Sequence, residues 1–431
     1  MTYKGVVRLL VAGVLTLCLL SPVWAKASPS AQDDGNGKAK GQTKAKGWRF
    51  AVFGDHRGDN KAWDTTTWDR YTDGGFNKAV LTDLANALRE EDVEFVLDVG
   101  DLVTKHTPEL INIEADALLT KELADWAAVW LEASGGLPLY PVRGNQEVTA
   151  SEDVWRAFTS VMPGIGDLAP NGPPGEEGLT FAFTHKNCLF VGIDQYADGR
   201  ADGDTHVVSP EAQDWLGTLL AASDRPYTFV FGHAPAYETW NSKAKPPVPF
   251  TVVKDGLATP FAKFTSWAME MRDDFWSSLG LVGAEYFCGH EHMYGRGVTT
   301  MDAGAILRQT IIGNGGAPLV PLFPAAYDAL GVYCESYTGI PLPVAEGEPP
   351  LTLLNPLITS ETPARTAEVG YIVVQVHGSK VTAKYVAAPA DIATNERTGP
   401  FAVVDTWTIA EGDDEEEVEE PEEEEAEVAT P

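Results

Sequence analysis

"AEYFCGHEH", residues 284–292, is an apolar run that stops abruptly at Gly289 and then presents His290 and His292, two places apart. It reads as a β-strand with a polar end. The same construction occurs four more times upstream. "WRFAVFGD" (48–55) ends in Asp55, "VEFVLDVGD" (93–101) in Asp101, "LPLYPVRGN" (137–145) in Asn145 and "YTFVFGH" (227–233) in His233. A single Gly-Asp after a strand is ordinary turn chemistry. Five strands that each end in Gly and then a metal-binding type of side chain do not read as unrelated turns. In α/β sheets, ligands bind beyond the carboxyl ends of the strands.

Helical spacing separates these strands. Residues 75–91, with Phe76, Val80, Leu84, Ala87 and Leu88 on one face, predict an amphipathic helix, and further helices are expected at 114–133 and 211–222. "TFAFTHKNCLFVGID" (180–194) reads as two strands joined by a tight turn, and 370–387 with 401–409 as closing antiparallel strands. The stretches 236–280 and 317–360, rich in aromatics and proline, read as irregular insertions that follow the donor-bearing loops and build a pocket rim.

Composition sets the outer limits. The chain has 431 residues, of which 44% are hydrophobic and 22% charged, enough for a large packed core. Its N-terminus has Lys4 and Arg8, an apolar run from Leu9 to Leu20, then "SPVWAKA", the order of a secretory signal peptide (1–27) cleaved near Ala25 or Ala27. The run is short for a membrane span, so the expectation is export to the periplasm or the extracellular space without a stable anchor. Residues 28–47 read as a flexible Gly/Ala/Lys-rich linker, 48–410 as the folded domain, and 411–431, with 13 acids and no base, as a disordered acidic tail. The net charge of −32 argues against a nucleic-acid-binding surface. Beyond the leader, Cys188, Cys288 and Cys334 are too few to organise the fold: either one pair or three buried thiols.

The strand-end residues Asp55, Asp101, Asn145, His233, His290 and His292 make a mixed oxygen and nitrogen donor set without a thiolate. Such a set suits Zn, Mn or Fe. Six donors exceed one tetrahedral site, whereas two ions sharing a carboxylate would use them all. Two ions about 3.5–4 Å apart clamp a phosphoryl group.

In order and spacing, "FGDHRG", "VGDLV", "RGNQE", "FGHAP" and "CGHEHMYGR" resemble the calcineurin-like metallophosphoesterase superfamily, most closely its purple-acid-phosphatase-like branch. The resemblance implies an α/β (α+β) fold, a four-layer αββα sandwich of two mixed β-sheets flanked by helices. It also implies hydrolysis of phosphomonoesters or phosphodiesters by a hydroxide activated at a dinuclear centre of divalent or trivalent ions (Fe, Mn or Zn). Asp101 would bridge the ions, Asp55 and His292 would belong to the first, and Asn145, His233 and His290 would complete the second.

Three positions depart from the family pattern. Arg57 stands where the superfamily has a metal-binding His, and a guanidinium donates hydrogen bonds but cannot ligate. Thr104 stands where the purple phosphatases have a Tyr, which leaves water, His56 or another residue to complete the first site. Gln146 stands where a His orients substrate or protonates the leaving group, and His106 is a candidate replacement. Arg57 reads either as a phosphate clamp or as the partner of a local acid such as Asp59. On this reading the catalytic and substrate-binding candidates are Asp101, Asn145, Arg57, Gln146 and His106. Two alternatives share the fold: a catalytically weakened metal- or phosphate-binding protein, and a mononuclear metallohydrolase.

Overall fold

Between two β-sheets, the ring of Phe50 meets those of Phe190 and Phe229, with centroids 5.0 and 4.9 Å apart. This contact joins the halves of the domain in the computed structural model. The structure describes residues 47–58, 63–64, 69–70, 75–104, 115–197, 208–236, 250–254, 257–261, 269–300, 306–319, 359–365, 367–392 and 395–412. The signal segment, the linker up to residue 46 and the tail from residue 413, together with His106, Asp59, Cys334 and most of the two insertions, lie outside the described residues.

The first sheet contains β1 (Trp48–Phe53), β4 (Val96–Asp98), β5 (Leu139–Pro141), β15 (Glu368–His377), β16 (Lys380–Pro389) and β17 (Ala402–Ala410), in the order β17-β16-β15-β1-β4-β5. The second contains β6 (Phe181–His185), β7 (Cys188–Gly192), β8 (Tyr227–Phe231), β11 (Glu285–Cys288), β12 (Tyr294–Thr300), β13 (Ile306–Ile312) and β14 (Thr359–Arg365), in the order β14-β12-β13-β11-β8-β7-β6. Two ribbons pair β2 (Trp63–Asp64) with β3 (Asp69–Arg70) and β9 (Phe250–Lys254) with β10 (Leu257–Phe261). Both sheets are mixed: β1 runs parallel to β4 and antiparallel to β15, while β11 runs parallel to β8 and β13, and β12 runs antiparallel to β13.

Strand periodicity explains the layering. On β7 and β8, Phe190, Phe229 and Phe231 face the first sheet, while Leu189, Val191 and Val230 face outward. Helices α4 (Pro210–Ala222) and α5 (Met269–Gly280) cover that outer face through Leu216, Leu220, Phe275, Trp276 and Leu279. On the other side, α1 (Lys78–Glu90), α2 (Ala115–Ser134) and α3 (Glu152–Thr159) cover the first sheet, with Phe53 packed 5.2 Å from Trp130. The result is the expected four-layer α/β sandwich. Helix α1 begins at Lys78 because the Asn77 side chain accepts from the Val80 N–H at 3.2 Å, an N-cap.

The irregular reading of 236–280 and 317–360 needs correction within the described residues. β9 and β10 pair antiparallel, α5 ends the first stretch, and β14 begins at Thr359. The strands β12 and β13, second and third from the β14 edge of the second sheet, also went unrecognised in the sequence. Their pattern is broken by Gly295, Gly297 and the buried Arg296, whose charge is met by Glu361 on β14 and Asp405 on β17.

Candidate metal centre

The strands β1, β4, β5, β8 and β11 deliver their carboxyl ends to one edge of the sandwich, where their loops interlock. The Asp55 N–H donates to the Gly100 carbonyl at 2.8 Å, and the Gly289 N–H to the His233 carbonyl at 2.8 Å. From the loop after β13, Gly315 N–H donates to Gly54 O at 2.9 Å and Ala317 N–H to Asp55 O at 2.7 Å. Asp55, Asp101 and His290 have φ of 59°, 56° and 68°. Three non-glycine residues in the left-handed region mark backbone held under strain where side chains must be aimed. Glycine at 289 is required by close approach, since a Cβ there would overlap the carboxylate of Asp55.

Around Asn145 the donors form a tight cluster. His233 Nε2 and His290 Nδ1 each lie 3.2 Å from Asn145 Oδ1 and 3.2 Å from each other, and Asp101 Oδ1 is 3.3 Å from His233 Nε2. His233 Nδ1 donates to the Val99 carbonyl at 2.8 Å, which fixes the tautomer and turns the Nε2 lone pair toward the cluster. Burial holds the His233 pKa below its usual value and so favours the neutral, ligating form. Four ligands at bond lengths of about 2.0–2.1 Å around a tetrahedral ion are separated by about 3.3–3.4 Å. The edges of the His233, His290 and Asn145 triangle, and the step from His233 to Asp101, match the separations of ligands that share one ion.

The other half is built differently. Asp55, Asp101 and His292 are all buried, and each offers an atom within 4.8 Å of the others. Asp55 Oδ2 accepts from the His290 N–H at 2.9 Å, but its Oδ1 is buried without a hydrogen-bond partner. Burial, reinforced by the charge of Asp101, raises the Asp55 pKa well above the usual carboxylate range. The positive charge of Arg57 opposes that rise from nearby, with its Nε 3.5 Å from Asp101 Oδ2 and its Nη2 3.2 Å from His292 Nε2.

The other residues close to the donors in sequence take other positions. Gln146 reaches Asp101 through its backbone, its N–H donating to Oδ1 at 3.0 Å. The Thr104 hydroxyl lies 2.7 Å from Gly75 O and 3.1 Å from Gly58 O, and so ties the first loop together. His56 is not a substitute ligand here: its Nδ1 is 2.9 Å from Gly315 O and its Nε2 3.2 Å from Asp98 Oδ2, deep under the loops. Tyr294 turns away from the donors, hydrogen-bonding Asp405 at 2.6 Å and stacking on Tyr385.

Sequence reasoning passed over the supporting residues. Glu147 accepts from the N–H groups of Gly144, Asp101 and Val103 at 2.7, 3.1 and 3.2 Å, stitching two donor loops together. Burial, with Asp101 adding to it, pushes its pKa up to about 8. Gln195 Oε1 accepts from the Ala234 N–H at 2.6 Å and braces the residue after His233. Glu147 follows Asn145 closely enough to be suspected, whereas Gln195 carries no local signal.

Comparison with known proteins agrees with this geometry. A solved structure of PhoD superposes with a TM-score of 0.51 at 14% identity, covering 84% of this chain and 69% of that one, which is a likeness of fold. Among curated proteins no relative matches the chain. The family model for calcineurin-like phosphoesterases matches residues 49–294, a span that contains every strand-end donor. The chain therefore belongs to the calcineurin-like phosphoesterase family and is a hydrolase of phosphoric ester bonds that works with divalent metal ions.

Proposed function

We propose that this is an exported phosphoesterase that cleaves phosphomonoesters or phosphodiesters at the strand-end centre. The single observation that carries the reading is the triangle of His233, His290 and Asn145, with 3.2 Å edges and Asp101 beside it. A divalent ion bound there supplies Lewis acidity toward a phosphate oxygen and lowers the pKa of water. His233 and Asn145 fix the position, Asp101 brings negative charge to it, and the guanidinium of Arg57 adds positive charge on the far side of Asp101. The planar fork of Arg57 matches a phosphate's oxygens, but here its nitrogens face Asp101, His292 and Gly58. Asp55 and His292 offer donors toward the second ion of a dinuclear centre, in competition with Arg57. Export rests on the charged, apolar and small-residue order of the first 27 residues.

The test is hydrolysis of aryl phosphate monoesters and diesters by purified protein supplied with Mn or Zn, wild type against Asp101→Ala. Loss of Asp101 should lower kcat by about a thousandfold or more, the equivalent of several kcal/mol in the transition state. Activity that survives the substitution would falsify the mechanism.

A further inference from the structure

The two halves of the donor set are not equivalent. Around Asn145, neighbouring donors are 3.2–3.3 Å apart. In the other half His292 Nε2 is 3.7 Å from Asp55 Oδ1. Ligands sharing one ion at bonds of about 2.0–2.1 Å sit closer than that on a tetrahedron. A larger cation is already there. His292 Nδ1 lies 2.7 Å from the Pro318 carbonyl, which can only accept, so Nδ1 carries the proton and Nε2 presents its lone pair. That lone pair, the one a metal would use, faces Arg57 Nη2 at 3.2 Å. On the same guanidinium, Nε pairs with Asp101 Oδ2 at 3.5 Å, leaving Oδ1 toward His233.

We infer that Arg57 stands in place of the first metal ion, so that this centre binds one ion per chain, held by Asp101, Asn145, His233 and His290. Three arguments support the assignment. A guanidinium only donates hydrogen bonds, so it covers the His292 nitrogen that a metal would use and cannot itself ligate an ion. Arg57 is buried, 5% exposed, and its Nη1 donates to the Gly58 carbonyl at 3.3 Å, so the head group is anchored within the loop. Two buried carboxylates, Asp55 and Asp101, need compensating charge, and a fixed monocation beside one divalent ion supplies it without the repulsion of a second ion nearby. The unpartnered Asp55 Oδ1 is a single acceptor, which accommodates a water and does not by itself hold an ion.

The inference rests on the reading of this site as a metal centre, but its test counts ions and does not read turnover. Wild-type protein saturated with Mn(II), desalted and analysed by elemental mass spectrometry should hold one ion per chain, with the six-line electron paramagnetic resonance spectrum of an isolated ion. Arg57→His, which restores a ligand and removes the cation, should hold two ions with an exchange-coupled spectrum. Two ions or none in the wild type would overturn the inference, and so would one ion in both proteins. Should Arg57→His fail to fold, His292→Ala discriminates: the count stays at one under the inference and drops from two to one in a dinuclear centre. A protein that binds one ion but hydrolyses no ester would end the phosphoesterase reading and leave the ion count standing.

Discussion

His233 Nε2 and His290 Nδ1 face each other at 3.2 Å across the ends of two neighbouring parallel strands, β8 and β11. Because His233 donates from Nδ1 to Val99, its Nε2 meets His290 as a lone pair. Two imidazole nitrogens held in this way are brought into register by a shared proton or by a cation. A ligand that binds only the folded state stabilises it by about 2.7 kcal/mol at a hundredfold excess over Kd. Wild-type protein should therefore gain thermal stability on addition of Mn or Zn and lose it with chelator, whereas His233→Ala should show little shift. Scanning calorimetry with and without metal checks this, and a full shift in the variant would remove His233 from the site.

Immediately before the Asn145 loop, Arg143 Nε donates to Asp194 Oδ2 at 2.6 Å, and both side chains are buried. The other oxygen of Asp194 accepts from the Tyr196 N–H at 2.7 Å. Removing one partner of such a pair leaves the other charge in low dielectric and costs about 3–5 kcal/mol. Asp194→Ala should lower unfolding stability by that amount in urea titrations. The double change of Arg143→Met with Asp194→Leu should recover much of the loss; equal destabilisation of both proteins would show that the charge is not the cause.

Glu285 opens β11 within the second sheet, with Thr310 Oγ1 donating to it at 3.0 Å and Arg308 Nη1 at 3.3 Å. Burial outweighs the pull of Arg308 and pushes its pKa up to about 7 from an ordinary 4.5. The folded state therefore keeps a proton that the unfolded chain releases. This contribution, on the order of 3 kcal/mol, is complete below about pH 4.5 and is lost as pH rises through 7. In chelator-treated protein, Glu285→Gln should flatten the fall in stability between pH 5 and 8. An unchanged slope would assign that fall to other groups.

Cys188 and Cys288 are both buried and unpaired in disulfides. Burial pushes the Cys188 thiol up to about 12 and Cys288 well above its usual value. The thiolate is the reactive species, so neither should be alkylated by iodoacetamide at pH 8 until the protein unfolds. Peptide mass mapping before and after denaturation reads this out, and rapid native labelling at either position would contradict the packing described.

The strand-end pattern was legible because it is local. An apolar strand, a glycine that permits close approach and a polar side chain all lie within a few residues, so Asp55, Asp101, Asn145, His233, His290 and His292 could be picked from the chain before any fold was known. The strands that carry them and the helix at 78–90 follow from side-chain periodicity in the same way. Tertiary structure alone decided what those residues face. Nothing near "FGDHRGDN" says that His56 turns under the loop toward Asp98 and Gly315, or that Arg57 reaches His292, 235 residues away. The strands β12 to β14 stayed hidden for a related reason: Arg296 looks like a surface charge until the pairing of distant strands buries it beside Glu361. Local patterns record which side of the backbone a residue prefers, while the partner of a buried charge is set by the register of sheets whose strands are far apart in sequence.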